Sequence, residues 1–437
     1  MHSFTPWPAA FAVCLLGGAA QAAEPAWSGE WDLVAEFDQG RSASTLSLTL
    51  EEGKVAGASG PLDEAGFLPL TVRGKPVRNG VEVEFFYKDA PVGTATLTGD
   101  GESLSGRGSL YAVPVRLSAS RRTAVAAPAR THDVQPRAYT VQYSARTTPI
   151  LRIRPGDRVR TSTLDNMGRD ERLTFRWMPG NTLTGPFWIE GAMPGDTLVV
   201  RLERVALNRD TAEMWGGSIN AKATGAYEQS PTPGWSRTWL LDRERGVARP
   251  GAPSGRVAGL ELPLRPMIGS IGVAPPLNQS WFAGDLGFHG GNLDYQRVTE
   301  GTTLYLPVWQ AGAFLALGDG HALQGDGEIT GQGLETSLDV EFTVDLIRGK
   351  TLGQVWMEDA EDVMVSGIDN SLDDALRMAT TGMARWLKDR YGLTDSEIAT
   401  LMGAAVRYDI AEVVDARPHV VARLSKKILA TIGPAAP

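Results

Sequence analysis

The sequence predicts a mainly β protein in two parts: an N-terminal antiparallel β barrel or sandwich, then a large β-rich domain ending in helices. Three observations carry this. The 437 residues include 50 Gly and 27 Pro, a turn-rich composition. From Trp27 onward, short segments alternate apolar and polar residues and are separated by turn signals at roughly the 8–12-residue spacing of antiparallel β folds. Helical spacing of apolar residues emerges only near the C-terminus.

Residues 1–22 contain no Asp, Glu, Lys or Arg. Ala9 to Ala20 is an apolar and small-residue run, and Ala20-Gln21-Ala22 fits the small-x-small cleavage rule. This predicts a signal peptide at 1–22, a mature chain beginning at Ala23, and a periplasmic or secreted location. No stretch reaches the roughly 18 apolar residues that a membrane-spanning helix needs. Cys14 is the only cysteine, and it would leave with the signal peptide. That excludes disulfides, thiolate metal sites and cysteine nucleophiles. The remaining histidines are His132, His289, His321 and His419, so a metal site would be mostly oxygen-ligated. A net charge of −9 argues against nucleic acid or anionic membrane as a partner.

Residues 27–120 are predicted to form an accessory all-β domain, with strands near Ser44–Leu50, Phe67–Val72, Val81–Tyr87, Gly93–Thr98 and Ser109–Ser118. Glu52-Gly53, Asn79-Gly80 and Asp100-Gly101 supply turns. The segment contains no cluster of catalytic residue types. Residues 121–137, with Ala124-Val125-Ala126-Ala127-Pro128, read as a linker. The second domain spans 138–432. In it the Pro-Gly-Asp turn occurs twice, at Pro155 and Pro194. Leu376, Ala379, Met383 and Leu387 have the spacing of one buried helix face, and Thr394 with Glu397 forms a capping box.

The stretch Gly318-Asp319-Gly320-His321-Ala322-Leu323-Gln324-Gly325-Asp326-Gly327-Glu328 concentrates one imidazole and three carboxylates. Read as strand, turn, strand, it places Asp319 with His321, and Asp326 with Glu328, because residues i and i+2 share a face. Two readings stay open at this level: a metal or acid–base site, or a solvated Gly/Asp-rich hairpin.

Several segments together resemble the acetamidase/formamidase family. They are Ile153-Arg154-Pro155-Gly156-Asp157 with Thr163-Leu164-Asp165; Thr184-Gly185-Pro186-Phe187-Trp188-Ile189-Glu190-Gly191-Ala192-Met193-Pro194-Gly195-Asp196; Ile268-Gly269-Ser270-Ile271-Gly272-Val273-Ala274-Pro275; His289-Gly290-Gly291-Asn292-Leu293-Asp294; the His321 stretch; and Gly333-Leu334-Glu335-Thr336. Their order also matches, over roughly 138–432. Leu323 and the stretch from Asn208-Arg209-Asp210 to Asn220 depart from the family pattern. The resemblance implies metal-dependent hydrolysis of the C–N bond of a small carboxamide. A divalent metal activates water, and a carboxylate carries its proton to the leaving nitrogen.

In that scheme Asp165, His321 and Glu328 hold the metal with Asp326 as support, His289, Asn292 and Asp294 orient substrate, and Glu328, Asp326 and His289 are the candidate catalytic residues. His321 favours Zn²⁺, with Ca²⁺ as the other candidate. Asp319 is either a ligand or a turn residue. The C-terminal helical layer offers a homodimer surface. The alternative is an exported, non-catalytic β-rich protein whose acidic segment holds a structural Ca²⁺.

Overall fold

The structure is a computed structural model and describes residues 25, 27–38, 40–60, 69–122, 128–215, 217–230, 237–252 and 255–433. The expected signal peptide lies outside these residues, as does the middle of the expected linker.

Eight strands open the fold: β1 Gly29–Phe37, β2 Gly40–Glu51, β3 Lys54–Ser59, β4 Leu70–Val77, β5 Gly80–Tyr87, β6 Ala90–Gly99, β7 Ser103–Leu110 and β8 Val113–Arg121. They pair in sequence order, and β1 pairs with both β2 and β8, so the sheet closes into a barrel. Closure leaves no free edge. Every second residue points inward: Trp31, Leu33 and Ala35 on β1, Leu46 and Leu48 on β2, Val81, Val83 and Phe85 on β5. One expected strand divides. Ser109–Ser118 is the β7–β8 hairpin, because Tyr111 and Ala112 take positive φ of 50° and 64° and form a tight two-residue turn.

The rest of the chain builds a twelve-stranded and a nine-stranded sheet around one apolar core. Leu202 (strand Thr197–Leu207) and Phe342 (strand Leu338–Ile347) meet Phe187, Ile268, Leu315 and Leu317 of the larger sheet. The rings of Phe187 and Phe342 stand edge to face with centroids 5.4 Å apart. The strand Asp362–Ile368 shows why some strands here read as unbroken apolar runs. Met364 and Ile368 enter the shared core, while Val363 and Val365 meet the helices on the other face.

Those helices are α1 Leu372–Tyr391 and α2 Asp395–Ala405. Ser371 caps α1, Gly392 ends it in the left-handed region, and the Thr394–Glu397 capping box opens α2 as expected. The buried face of α1 is Ala375, Ala379, Met383, Trp386 and Leu387. Leu376, expected on that face, is exposed, since Ala375 holds the position one turn before Ala379. No described helix is long and apolar enough to cross a membrane.

Arg122, directly after β8, joins the barrel to the rest of the fold. Its guanidinium lies 3.3 Å from Asp32 of β1 and hydrogen-bonds to Asp196 in the second Pro-Gly-Asp turn.

Candidate active site

The strand Leu315–His321 is buried along its whole length. It lies between the strands Met267–Gly272 and Glu335–Thr336 in the larger sheet. This placement turns Asp319 and His321 into one interior site, as the period-two reading expects. His321 Nε2 faces Asp319 Oδ1 at 3.9 Å and Glu335 Oε1, on the neighbouring strand, at 3.1 Å. His321 Nδ1 lies 2.7 Å from Gln324 Oε1, and the Gln324 amide donates to the Asp294 carbonyl at 2.6 Å. With its amide nitrogen so engaged, Gln324 presents oxygen to the ring, so Nδ1 carries hydrogen and Nε2 is directed at the carboxylates. The backbone is shaped to this purpose. A Cβ at Gly269 would stand 2.6 Å from Asp294 Oδ1 and 2.8 Å from Asp319 Oδ2, and one at Gly333 would stand 2.9 Å from the His321 ring. Asp294, Asp319 and Glu328 all have left-handed backbones, with φ of 40°, 55° and 44°. Such strain in non-glycine residues gathers at functional sites.

Further carboxylates arrive from distant segments. Gly327 bridges to Glu412 at the end of the strand Arg407–Glu412. This brings Glu412 and Asp415 beside Asp294, close enough for the three to share one ion. Asp294, His321 and Glu328 form a second such group, and Asp319, His321 and Glu335 a third. Asn292 is the hub beneath them. Its amide donates to Asp294 and, at 2.9 Å, to Asp415 Oδ2, while its oxygen accepts from Ser270 and, at 3.0 Å, from Asn181. Asn181 also donates to Asp319 Oδ2 at 3.1 Å.

Electrostatics follow from six carboxyls gathered around one imidazole. Burial, then Glu335, pushes Asp319 up to about 8. Burial, then Asp415, pushes Glu412 up to about 7. Burial, then the Glu335 and Glu412 charges, holds Glu328 well above the carboxylate range. Burial opposes charge on His321, but Glu335, Asp319 and Asp294 override it and hold the ring well above its usual value. Asp294 Oδ1, Asp319 Oδ1, His321 Nε2, Glu335 Oε2 and Glu412 Oε2 are buried and have no hydrogen-bond partner among the described residues. Unpaired buried carboxylates are costly, and a cation relieves that cost. One imidazole nitrogen and two carboxylates, with the other ring nitrogen held by Gln324, are a donor set that fits a divalent ion.

Sequence expectations fare unevenly here. His321, Glu328 and Asp294 come together. Asp165 does not join them. Its Oδ2 accepts from Arg169 Nε and Arg209 Nη1, both at 2.9 Å, and its Oδ1 from the Met167 and Arg169 amides. It thus acts as an arginine-clamped corner. Arg209, from the stretch that departs from the family pattern, passes the clamp on to the Glu335 carbonyl at 3.2 Å. Asp326 is exposed and bonds Gln296, because residues 322–334 form loop and turn where a second strand was expected. Asn292 has its polar atoms engaged within the protein, so it positions acids where substrate contact was expected. His289 lies in a box of Tyr143, Trp281 and Phe288, with centroids 5.1, 4.8 and 6.0 Å away. Burial, then Arg417, lowers it to about 3, so it is a neutral ring with both nitrogens unpartnered. Glu412, Asp415 and Asn181 carried no signal in the sequence, and Ser270 had one only in the Ile268–Pro275 motif. Glu335 had a signal in the Gly333–Thr336 motif.

Residues 287–429 match the profile described as the Acetamidase/Formamidase family, which bears out the resemblance drawn from the motifs. That span holds Asn292, Asp294, Asp319, His321, Glu328, Glu335, Glu412 and Asp415. Among curated relatives, a formamidase of Methylophilus methylotrophus is 27% identical over 41% of this chain and 57% of its own length. An acetamidase of Mycolicibacterium smegmatis is 32% identical over 39% of this chain and 54% of its own. This chain thus spans about half the length of the curated relatives it matches. A solved structure described as a predicted acetamidase/formamidase from Thermoanaerobacter tengcongensis superposes with a TM-score of 0.60 and 29% identity. The match covers 70% of this chain and 98% of that one.

Proposed function

We propose that the protein is a metal-dependent amidohydrolase that cuts the C–N bond of a small carboxamide and releases ammonia and a carboxylate. One observation carries the reading: the buried, unpartnered Nε2 of His321, fixed in tautomer by Gln324 and facing Asp319 and Glu335. Asp319, His321 and Glu335 would hold the ion. The nitrogen ligand favours Zn²⁺ over Ca²⁺. When bound, the ion polarises the amide carbonyl and acidifies water. The remaining work falls to this chain's residues. Glu328, raised by burial and then by its acidic neighbours, would be returned to its charged form by a bound cation and so take the proton of the attacking water. It then delivers that proton to nitrogen as the C–N bond breaks, with Glu412 beside it. Asn292 and Asn181 hold Asp294, Asp319 and Asp415 in place. Small linear amides suit the names of the relatives. The barrel is an accessory part, and the chain is exported after cleavage at Ala22.

Metal analysis of the purified protein, with ammonia release from formamide and acetamide, tests this. We expect about one equivalent of Zn²⁺ or more. We expect His321→Ala to lose metal and at least about a hundredfold in kcat/KM, the low end of what a positioned catalytic group contributes. Bound Ca²⁺ with no ammonia from any amide would replace this reading with that of an exported Ca²⁺-holding protein.

A further inference from the structure

The loop 166–181 is tightly built yet presents oil to water. Asp170 accepts from the Arg172 and Thr174 amides at 2.9 and 3.0 Å and from Arg176 Nε at 2.6 Å, and Arg169 bridges to Phe175. On this clamped frame Phe175 is 62% exposed and Met178 58%, and Leu173 and Trp177 are exposed as well. Large apolar side chains gathered on an ordered loop mark a contact surface.

The loop ends at Asn181, whose amide bonds Asp319 in the candidate site. From the opposite side comes Phe282, 56% exposed. A Cβ at Gly284 would lie 2.8 Å from the Phe282 ring and 3.7 Å from Asn181 Nδ2, and one at Gly180 would lie 3.2 Å from the same ring. Phe282 therefore lies beside Gly180 and near the Asn181 amide. Asn181 is only partly buried, whereas Ser270, Asn292, Asp294, Asp319, His321 and Glu335 are buried. Asn181 is thus the partly buried link between the acidic cluster and the exposed side chains of Phe282 and of the loop that carries Met178.

We infer that this apolar rim sets substrate class: the preferred substrate is a primary carboxamide with a sizeable apolar acyl group, an alkyl chain of several carbons or a ring, in preference to formamide or acetamide. The inference rests on the amide-hydrolysis reading above. The carboxamide end reaches the acidic floor, and the acyl chain lies along Phe282 and Met178. Continuity of the rim with the floor through Asn181 favours substrate over a second copy of the chain as its occupant. Each methylene that leaves water for this rim is worth about a fourfold gain in kcat/KM.

Ammonia release by the Zn²⁺-loaded full chain would be measured on formamide, acetamide, butanamide, hexanamide and benzamide. Its association state would be followed by sedimentation at the same concentrations. The expected result is a rise of at least about tenfold in kcat/KM from acetamide to hexanamide. Phe282→Ser and Met178→Ser, each at an exposed position, should cut the hexanamide-to-acetamide ratio several-fold. A flat or falling series in the wild type, or an unchanged ratio in both variants, overturns the inference and leaves amide hydrolysis standing. An unchanged ratio with loss of a dimer in the variants overturns it in favour of a self-interface. No ammonia from any amide in the series overturns the amide reading itself, and this inference with it.

Discussion

The barrel and the acidic site are built from the same material, antiparallel strands, and obey opposite rules. Inside β1–β8 the described buried side chains are apolar except Ser44 and Ser59, and no ionisable group is among them. Apart from the β1–β8 closure, each strand pairs with its sequence neighbours, so the pairings are local and follow alternation. Around His321, six carboxyls are drawn from five segments of chain, three of them on strained backbones. The difference shows where stability and chemistry are separated. The barrel is a core with nothing to react. The site is a place where the fold tolerates buried acids without partners, a cost that a bound cation would relieve.

The largest test of this contrast removes charge. Glu335→Gln and Asp319→Asn should each lower ammonia release by about a hundredfold to ten-thousandfold, the range of a lost positioned group, and weaken metal retention. In the metal-free protein Asp319→Asn should leave the melting midpoint unchanged or raised, since it keeps the neutral form that burial already favours. A fall of many degrees in that metal-free variant would show that this carboxyl supports the fold, and would break the separation.

Sequence legibility follows the same divide. Trp31, Leu33 and Ala35 alternate as period two demands, so the barrel's character could be read directly, while β3 and the Tyr111-Ala112 turn escaped. Asp319 and His321 were readable for the same reason, because they lie on a real strand. Asp326 and Glu328 were not. Glu328 turns inward from a left-handed backbone while Asp326 points to water, and alternation has no authority over a loop. Asp165 looked like a ligand because carboxylates with family spacing do. Its partners Arg169 and Arg209 claim it through contacts that spacing does not encode. Glu412 and Asp415 left no signal at all, since only the bridge from Gly327 to Glu412 brings them to the site after two intervening helices.

A core truncation in the barrel probes the contrast from the other side. Leu33→Ala or Leu97→Ala, both fully buried, should destabilise the barrel by about 2–5 kcal/mol through lost transfer energy and the cavity left behind. With no reacting group in that interior, kcat should stay within about twofold wherever the protein remains folded. Arg122 is the route by which this could fail, since it links Asp32 to Asp196. If Leu33→Ala lowers kcat by tenfold while circular dichroism shows an intact fold, the barrel is coupled to the chemistry and is not an accessory part.

The smallest expected effect is a proton balance, and its sign distinguishes the two regions. Asp319, raised to about 8 mainly by burial and Glu335, and Glu412, raised to about 7 mainly by burial and Asp415, keep protons when folded that they release when unfolded above about pH 4–4.5. Their contribution to stability is full below that pH and is lost as pH rises through about 7 and 8. His289 and His419, lowered by burial to about 3 and about 4, act in the opposite sense. Unfolded imidazoles take protons below about 6.5, so stability falls as pH drops from there. Between about pH 4 and 6.5 the two pairs offset one another. Above 6.5 only the carboxyl effect remains, and His321, raised by its acidic neighbours, adds to it with the same sign. The chelated protein should therefore melt a few degrees lower at pH 8 than at pH 6.5. Saturating Zn²⁺ should remove that slope, because a bound cation replaces the protons. The barrel interior holds no ionisable side chain among the described residues, so the cost of Leu33→Ala should be the same at both pH values. Thermal melts of wild type and Leu33→Ala, with chelator and with Zn²⁺, read all of this. A chelated midpoint that is flat or rises from pH 6.5 to 8 would mean that the acidic cluster is not protonated in the absence of metal.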